Sequence, residues 1–260
     1  LADRGPTSVV DSYVTARATA DNLGANGRSA AGIRVRSPLE VPDEPVDVLV
    51  VKIPRERAVL EDDLRRLSPL LHPGTTVVAT GMTRDVHTST LDLLGRLVGP
   101  TVTTRAVRKA RLALSAVDDD RDTGPSRWPR TVHQSPPGFD VTAHAGVFGG
   151  RRLDAGTALL LDHLSEPGSH RRVVDLGCGT GVVGTAIALR DPGAEVILVD
   201  DSARAVASAS ATFAAVCPDR PFRATAGDAL EDLADGPLGP VDLVVVNPPF
   251  HRGHSQGDAT

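Results

Sequence analysis

At 260 residues, 40% apolar and with a net charge of -5, the chain is long enough for one large or two ordinary packed domains. No apolar run approaches bilayer-spanning length, and Cys178 and Cys217 stand far apart with no CxxC or Cys/His cluster, which leaves no basis for a membrane anchor, a structural zinc or a disulfide framework. The acidic balance argues against a general nucleic-acid coat, so a polyanionic partner has to be met by a local patch of the mostly arginine cations.

Residues 1–5 read as the tail of a helix and 7–10 as a short strand, after which Ser12 can cap a helix running to about Leu23. A weak strand at 33–35 and a strong one at 46–53 (VDVLVVKI, closed by Pro54) follow. Leu60, Leu64 and Leu67 at helical spacing mark a helix over 55–71. A strand at 75–80, a helix near 90–97 and late strands at 102–104 and 111–117 complete the first half. Alternation of this kind predicts an α/β fold with a parallel sheet. Residues 119–139, acidic and rich in Pro, Gly and Ser, read as a linker whose lone Trp128 packs it onto a domain.

From Arg171 the pattern recurs: the strand and loop VVDLGCGTG, a helix to about Leu189, a strand at 195–199 ending at Asp200, a helix through Val216, and strands at 222–226 and 241–246. VVDSYVTARATADNL (9–23) parallels LVDDSARAVASASATF (198–213), and VDVLVVKIPR (46–55) parallels VDLVVVNPPF (241–250). One doubly wound unit is thus written twice, giving a first domain at 1–118 and a second at 140–260. By the same repeat, the first copy is expected to lack its first strand and glycine loop, and the second everything after its fourth strand, as in a protein cut at both ends.

Two stretches carry chemistry. Asp175-Leu-Gly177-Cys178-Gly179-Thr-Gly181 lies between a strand and a helix, where glycines let the backbone approach a ligand; Asp200 ends the next strand, where a carboxylate can hold ribose hydroxyls. The DxGxGxG spacing departs from the dinucleotide pattern GxGxxG. The second stretch is Asn247-Pro248-Pro249-Phe250. The Val/Leu run before it fits a strand buried on both faces, which Pro must end, so the amide and the ring project beyond the sheet's carboxyl edge.

DLGCGTG, Asp200, the Gly227-Asp228 pair and NPPF together resemble a class I S-adenosylmethionine-dependent methyltransferase. The resemblance implies that Gly177, Gly179 and Gly181, with Cys178 among them, pass the methionine moiety. It further implies that Asp200 holds the ribose, that Asp228 meets the adenine amine, and that Asp175 holds the ammonium group. Gly146-Val147-Phe148 and Leu153-Asp154-x-Gly156-Thr157 narrow the resemblance to the guanine-N2 methyltransferases of ribosomal RNA, whose tandem domains retain cofactor motifs only in the second. It implies a cytoplasmic, monomeric enzyme acting on ribosomal RNA or a ribosomal subunit without a metal. Asn247, bordering cofactor and substrate, and the Pro248 carbonyl, fixed by Pro249, would accept the N–H bonds of the base amine, and Phe250 would stack on a base taken out of its stack. His251, matching the family's continuation through Gly253, is expected to position substrate.

The matching loop of the first copy, Lys52-Ile53-Pro54-Arg55, has neither amide nor ring, so that domain is expected to be catalytically inert. Arg105, Arg108, Lys109 and Arg111, in a stretch without acids, could contact phosphates there; Arg151-Arg152 and Arg171-Arg172 are similar candidates. Alternative readings are an NPP-aromatic methyltransferase acting on a protein glutamine or an adenine amine, and a non-catalytic module that binds RNA or S-adenosylmethionine.

Overall fold

A computed structural model describes residues 5–40, 42, 44–150, 152–164, 168, 170–229 and 240–248. The expected helix tail at 1–5 therefore lies almost wholly outside the described residues. The first half begins with β1 (Thr7–Val9), and Ser12 then opens α1 (Tyr13–Ala25), its hydroxyl accepting the Thr15 N–H at 3.0 Å. Such a cap satisfies one of the first-turn N–H groups that a helix cannot pair internally. β2 (Arg34–Arg36) runs parallel to β1.

Next come β3 (Val48–Lys52), α2 (Arg57–Leu67), β4 (Thr76–Met82), α3 (Thr88–Leu97), β5 (Thr101–Thr103) and β6 (Ala110–Ala116). The leucines at helical spacing on α2 and α3, Leu60, Leu64, Leu93, Leu94 and Leu97, bury themselves against Val77, Ala79 and Ala113 of the sheet. That sheet has the order β3-β4-β6-β5, and only β3 and β4 are parallel. The connection between β5 and β6 is too short for a crossover, so this pair closes the sheet as an antiparallel hairpin.

Part of the expected linker is also ordered. β7 (Arg130–Gln134) pairs antiparallel with β8 (Phe139–Ala143), whose Phe139 and Val141 join the core of the second half. A strand reading RTVHQ holds one aliphatic residue and gives too little alternation to be legible. Nearby, the Arg130 guanidinium stacks 4.5 Å from the centre of the Trp128 ring.

The second half continues with α4 (Ala155–Asp162), β9 (Arg172–Leu176), α5 (Val182–Arg190), β10 (Glu195–Asp200), α6 (Ala203–Val216), β11 (Phe222–Ala226) and β12 (Leu243–Val246). Its sheet is wholly parallel, in the order β11-β10-β9-β12. Val173, Val174, Val196, Ile197 and Leu198 are fully buried, as befits central strands covered on both faces. The register sets Leu176 opposite both Val199 and Val246, and Asp200 opposite Ala226. The loops after all four strands therefore open on one edge, with β9 at the point where strand order reverses.

The two halves meet through their matching helix starts. Tyr13 N–H donates to the Asp201 carbonyl and Ala203 N–H to the Asp11 carbonyl, each at 2.8 Å. Likewise, Val14 N–H donates to Asp201 Oδ1 at 2.8 Å and Arg204 N–H to Asp11 Oδ1 at 2.9 Å. Ser202 caps α6 as Ser12 caps α1. Each helix N-terminus is thus closed by an aspartate of the other half, the reciprocal pattern of a two-fold arrangement, with Ser12 and Ser202 at equivalent places in the repeat. Beside this joint the Arg204 guanidinium, 3% exposed, reaches Asp62 Oδ2 at 3.2 Å, Asp63 and Asp11. In the second sheet β9 lies between β10 and β12. Among the described residues no strand pairs between their counterparts β1 and β3.

Candidate active site

β9 delivers Leu176 to the carboxyl edge, and the chain then turns through Gly177, Gly179 and Gly181, all with φ between 54° and 76°. At Gly181 the requirement is steric as well as conformational, because a Cβ would lie 2.8 Å from the Ala209 Cα of α6. Gly184, one turn into α5, lets that helix press onto the sheet: a Cβ there would stand 2.5 Å from Leu198 Cδ2. Gly181 and Gly184 thus draw α5 against its neighbours, while Gly177 faces open space and Gly179 lies beneath the Phe148 carbonyl, 3.3 Å from where a Cβ would stand. This placement differs from the expectation that Gly181 would pass the ligand. Gly184, which the sequence reading omitted, is signalled only as the fourth glycine of the run.

The open space is a cavity of about 520 Å³ at the carboxyl edge, a volume suited to a nucleoside-sized ligand. Asp200 and Asp228 line it from the ends of β10 and β11, and Asn247 and Pro248 from the end of β12. Asp200 accepts from Ser202 N–H at 2.9 Å and from Gly179 N–H at 2.9 Å, so it braces the glycine loop as well as facing the cavity. Burial raises its pKa, against the pull of those two N–H groups. A smaller recess adjoins it, lined by Phe148, Thr157, Asp175, Cys178 and Asn247. Asp175 accepts from Gly184 N–H at 2.8 Å, and burial pushes its carboxyl up to about 7. A buried acid held near neutrality at the end of a cavity is the environment in which a cationic ligand group finds its counter-ion. The Cys178 thiol, raised well above its usual range by burial and then by Asp175 and Asp200, is an apolar wall here and no nucleophile.

Asn247 ends β12 against the start of α4. Its Nδ2 donates to Thr157 Oγ1 at 2.9 Å and to Asp154 Oδ2 at 3.2 Å. Asp154 is itself the N-cap of α4, accepting from Gly156 N–H at 2.8 Å and Thr157 N–H at 3.3 Å. The opposite lip is the loop carrying Phe148, which is 62% exposed; buried Gln134 ties it down by donating to the Gly149 carbonyl at 2.7 Å.

Asp175, Gly177, Cys178, Gly179, Asp200, Asp228, Asn247 and Pro248 are therefore gathered along one sheet edge. Pro249, Phe250, His251 and Gly253 lie outside the described residues, as does Arg151. Sequence reasoning gave no role to Gln134, and none to Asp154 and Thr157 beyond their place in a motif. In the first half the matching loop holds an exposed Lys52 where Asn247 stands in the second. Among the described residues there is no cluster of three or more His, Cys, Asp or Glu able to hold a metal, and no helix long and apolar enough to cross a membrane.

The acceptors fit S-adenosylmethionine: a buried acid for an ammonium, an acid at a strand end for vicinal hydroxyls, and a cavity of the required size between them. Comparison with known proteins agrees. Residues 1–119 match the RLMG N-terminal domain and residues 138–260 the Methyltransferase small domain. A protein of Streptomyces coelicolor named ribosomal RNA large subunit methyltransferase G is 46% identical over the whole chain, which spans 70% of that relative. The chain belongs to the ribosomal RNA large subunit methyltransferase G family. A second family member, from Ectopseudomonas mendocina, is 40% identical over 97% of the chain and 66% of its own length. The fold of the family is that of class I methyltransferases. A solved structure titled T. thermophilus 16S rRNA N2 G1207 methyltransferase (RsmC) in complex with AdoMet and guanosine superimposes with a TM-score of 0.76 at 24% identity. That likeness covers 95% of this chain and 65% of the solved one.

Proposed function

We propose that the protein transfers a methyl group from S-adenosylmethionine to the exocyclic N2 amine of a guanine in ribosomal RNA. The observation that carries the reading is Asn247, an amide held at the carboxyl edge of β12 beside a cavity lined by Asp200 and Asp228. Membership of a ribosomal RNA methyltransferase family supports it.

When bound, S-adenosylmethionine supplies an electrophilic methyl group. The chain's own residues bind and aim. Asp175 pairs with the ammonium, Asp200 accepts from the ribose hydroxyls, and Asp228 meets the adenine amine. A guanine amine is a weak nucleophile because its lone pair is delocalised into the ring. Acceptance of its two N–H bonds by Asn247 Oδ1 and the Pro248 carbonyl turns the lone pair toward the methyl group, so positioning and electrostatics suffice. The second domain, 140–260, does this work, and the first, 1–118, is inert and contacts RNA. The working unit is a cytoplasmic monomer that meets ribosomal RNA where ribosomes are assembled.

The RNA contact is assigned to the tip of the β5–β6 hairpin. Val107 and Ala110 exchange both backbone hydrogen bonds around Arg108 and Lys109, whose φ values are 49° and 62°. This is a two-residue turn with both central residues left-handed, a geometry that favours Asn-Gly. Two long cations held there cost about 1–3 kcal/mol each. Arg108→Ala with Lys109→Ala is expected to weaken RNA binding and to reduce the slope of log affinity against log salt by about 1.5–2, the loss of two phosphate contacts. An unchanged slope removes the hairpin from the interface.

The reaction is tested with the full-length protein, labelled S-adenosylmethionine and ribosomal subunits from cells lacking the gene, followed by digestion to nucleosides. Label is expected in N2-methylguanosine, and Asn247→Ala is expected to lower its rate by about 100- to 1,000-fold, as when one positioned hydrogen-bonding group is removed. Label on adenine or on a protein glutamine would overturn the substrate assignment.

A further inference from the structure

Building on the role proposed for Asn247, we infer that Asp154 and Thr157 are positioning residues that determine which end of the Asn247 amide is offered to the reacting amine. An amide has a donor end and an acceptor end of nearly equal shape, and only the acceptor end can take an N–H from a base. The Nδ2 group has two hydrogens, and the start of α4 supplies two acceptors for them: Thr157 Oγ1 at 2.9 Å and Asp154 Oδ2 at 3.2 Å. Turned over, the amide would set Oδ1 against the Asp154 carboxylate, oxygen facing oxygen. The carboxylate is ionised near neutral pH as an ordinary aspartate is, and the Asn247 hydrogen bond, then the Thr157, Gly156 and Ala155 N–H groups, lower its pKa further. Only one amide orientation is therefore stable.

Gly156 completes the arrangement. A Cβ at that position would lie 2.8 Å from Asn247 Oδ1 and 2.9 Å from Asp154 Oδ2, so the missing side chain is what lets the acceptor oxygen sit over the helix start. No donor reaches Oδ1 from the described residues. The motif Asp154-x-Gly156-Thr157 thus serves two ends at once: its carboxylate caps α4, and its side chains hold an amide more than ninety residues further along the chain.

The variants are chosen so that the fold survives. Asp154→Ser keeps a good N-cap yet is too short to reach Asn247, and Thr157→Val keeps the shape while removing the acceptor. Gly156→Ala favours the helix but crowds the amide. In full-length protein selectively labelled with 15N-asparagine, the side-chain pair of Asn247 is identified by its loss in Asn247→Asp. That pair is expected to be split and slow to exchange in the parent protein. It should lose both features in Asp154→Ser and Thr157→Val, and keep them in Thr157→Ser. The same Asp154→Ser and Thr157→Val variants, with Gly156→Ala, should lower kcat by about 10- to 100-fold, as for a reacting group misplaced by about 1 Å, with S-adenosylmethionine affinity within about twofold of the parent. An Asn247 pair and a kcat both unchanged in Asp154→Ser and Thr157→Val overturn the inference, as does a loss found wholly in cofactor affinity or thermal stability. Because the amide signals are read without substrate, they report on the clamp even if guanine proves not to be the methyl acceptor.

Discussion

Arg204→Leu is expected to destabilise the protein by about 3–5 kcal/mol, the cost of removing one partner from a buried ion-pair network. The guanidinium is 3% exposed and stands between Asp62, wholly buried on α2, and the more open Asp63 and Asp11. Leucine fills part of the volume but offers no charge, and Asp62 then retains only Arg66 Nε at 2.9 Å and the Ser126 hydroxyl. Urea denaturation at pH 7 measures the effect. Joint replacement of Arg204, Asp62 and Asp63 by apolar residues of similar size should cost far less than Arg204→Leu alone, because the buried carboxylate is removed together with its buried cation. Equal losses in the two proteins would mean that packing, and not charge, sets the stability of this joint.

The second large effect is on pH dependence and belongs to Asp175. Its carboxyl is pushed up to about 7 in the fold, first by burial, against an ordinary value of 3.8. The folded protein therefore holds this proton more tightly than the unfolded chain. The stabilisation is complete below about pH 4 and is lost as pH rises through 7, an amount on the order of 4 kcal/mol. Ligand-free protein should lose that much from this group between pH 4 and pH 8, and Asp175→Asn should remove this share of the slope. S-adenosylmethionine binding should show the opposite trend, strengthening up to about pH 7, because its ammonium pairs only with the ionised acid. Calorimetric titration across pH 5.5–8.5 measures this; an affinity independent of pH in that window would separate Asp175 from the ammonium.

The core of the second half could be read from the sequence because its signals are local. Four aliphatic residues in a row, 243–246, just ahead of Asn247 and Pro248 can only be a strand end, and the glycine run after Val174 can only be a turn into a helix. Four strand ends of one parallel sheet necessarily share an edge, so Asp175, Asp200, Asp228 and Asn247 converge once the strands are identified. What stayed hidden depends on partners distant in the chain. Asp11 and Asp201 read as ordinary residues before helix caps, yet each closes the other's helix across nearly two hundred residues. Asp154 reads only as part of a motif, and nothing in its own neighbourhood announces Asn247. The short hairpin strand β7 is equally silent, since five mixed residues carry no period.

The crossed aspartate caps have a thermodynamic corollary. Asp201, which closes α1, is the immediate neighbour of Asp200, which faces the cavity and holds Gly179. Were a ligand held by the loop around Asp200 to favour the seated α1, reciprocity would have any force that strengthens the seating of the first half raise affinity for that ligand by the same factor. On the reading proposed above, RNA gripping the first half would be felt at the cofactor without touching it.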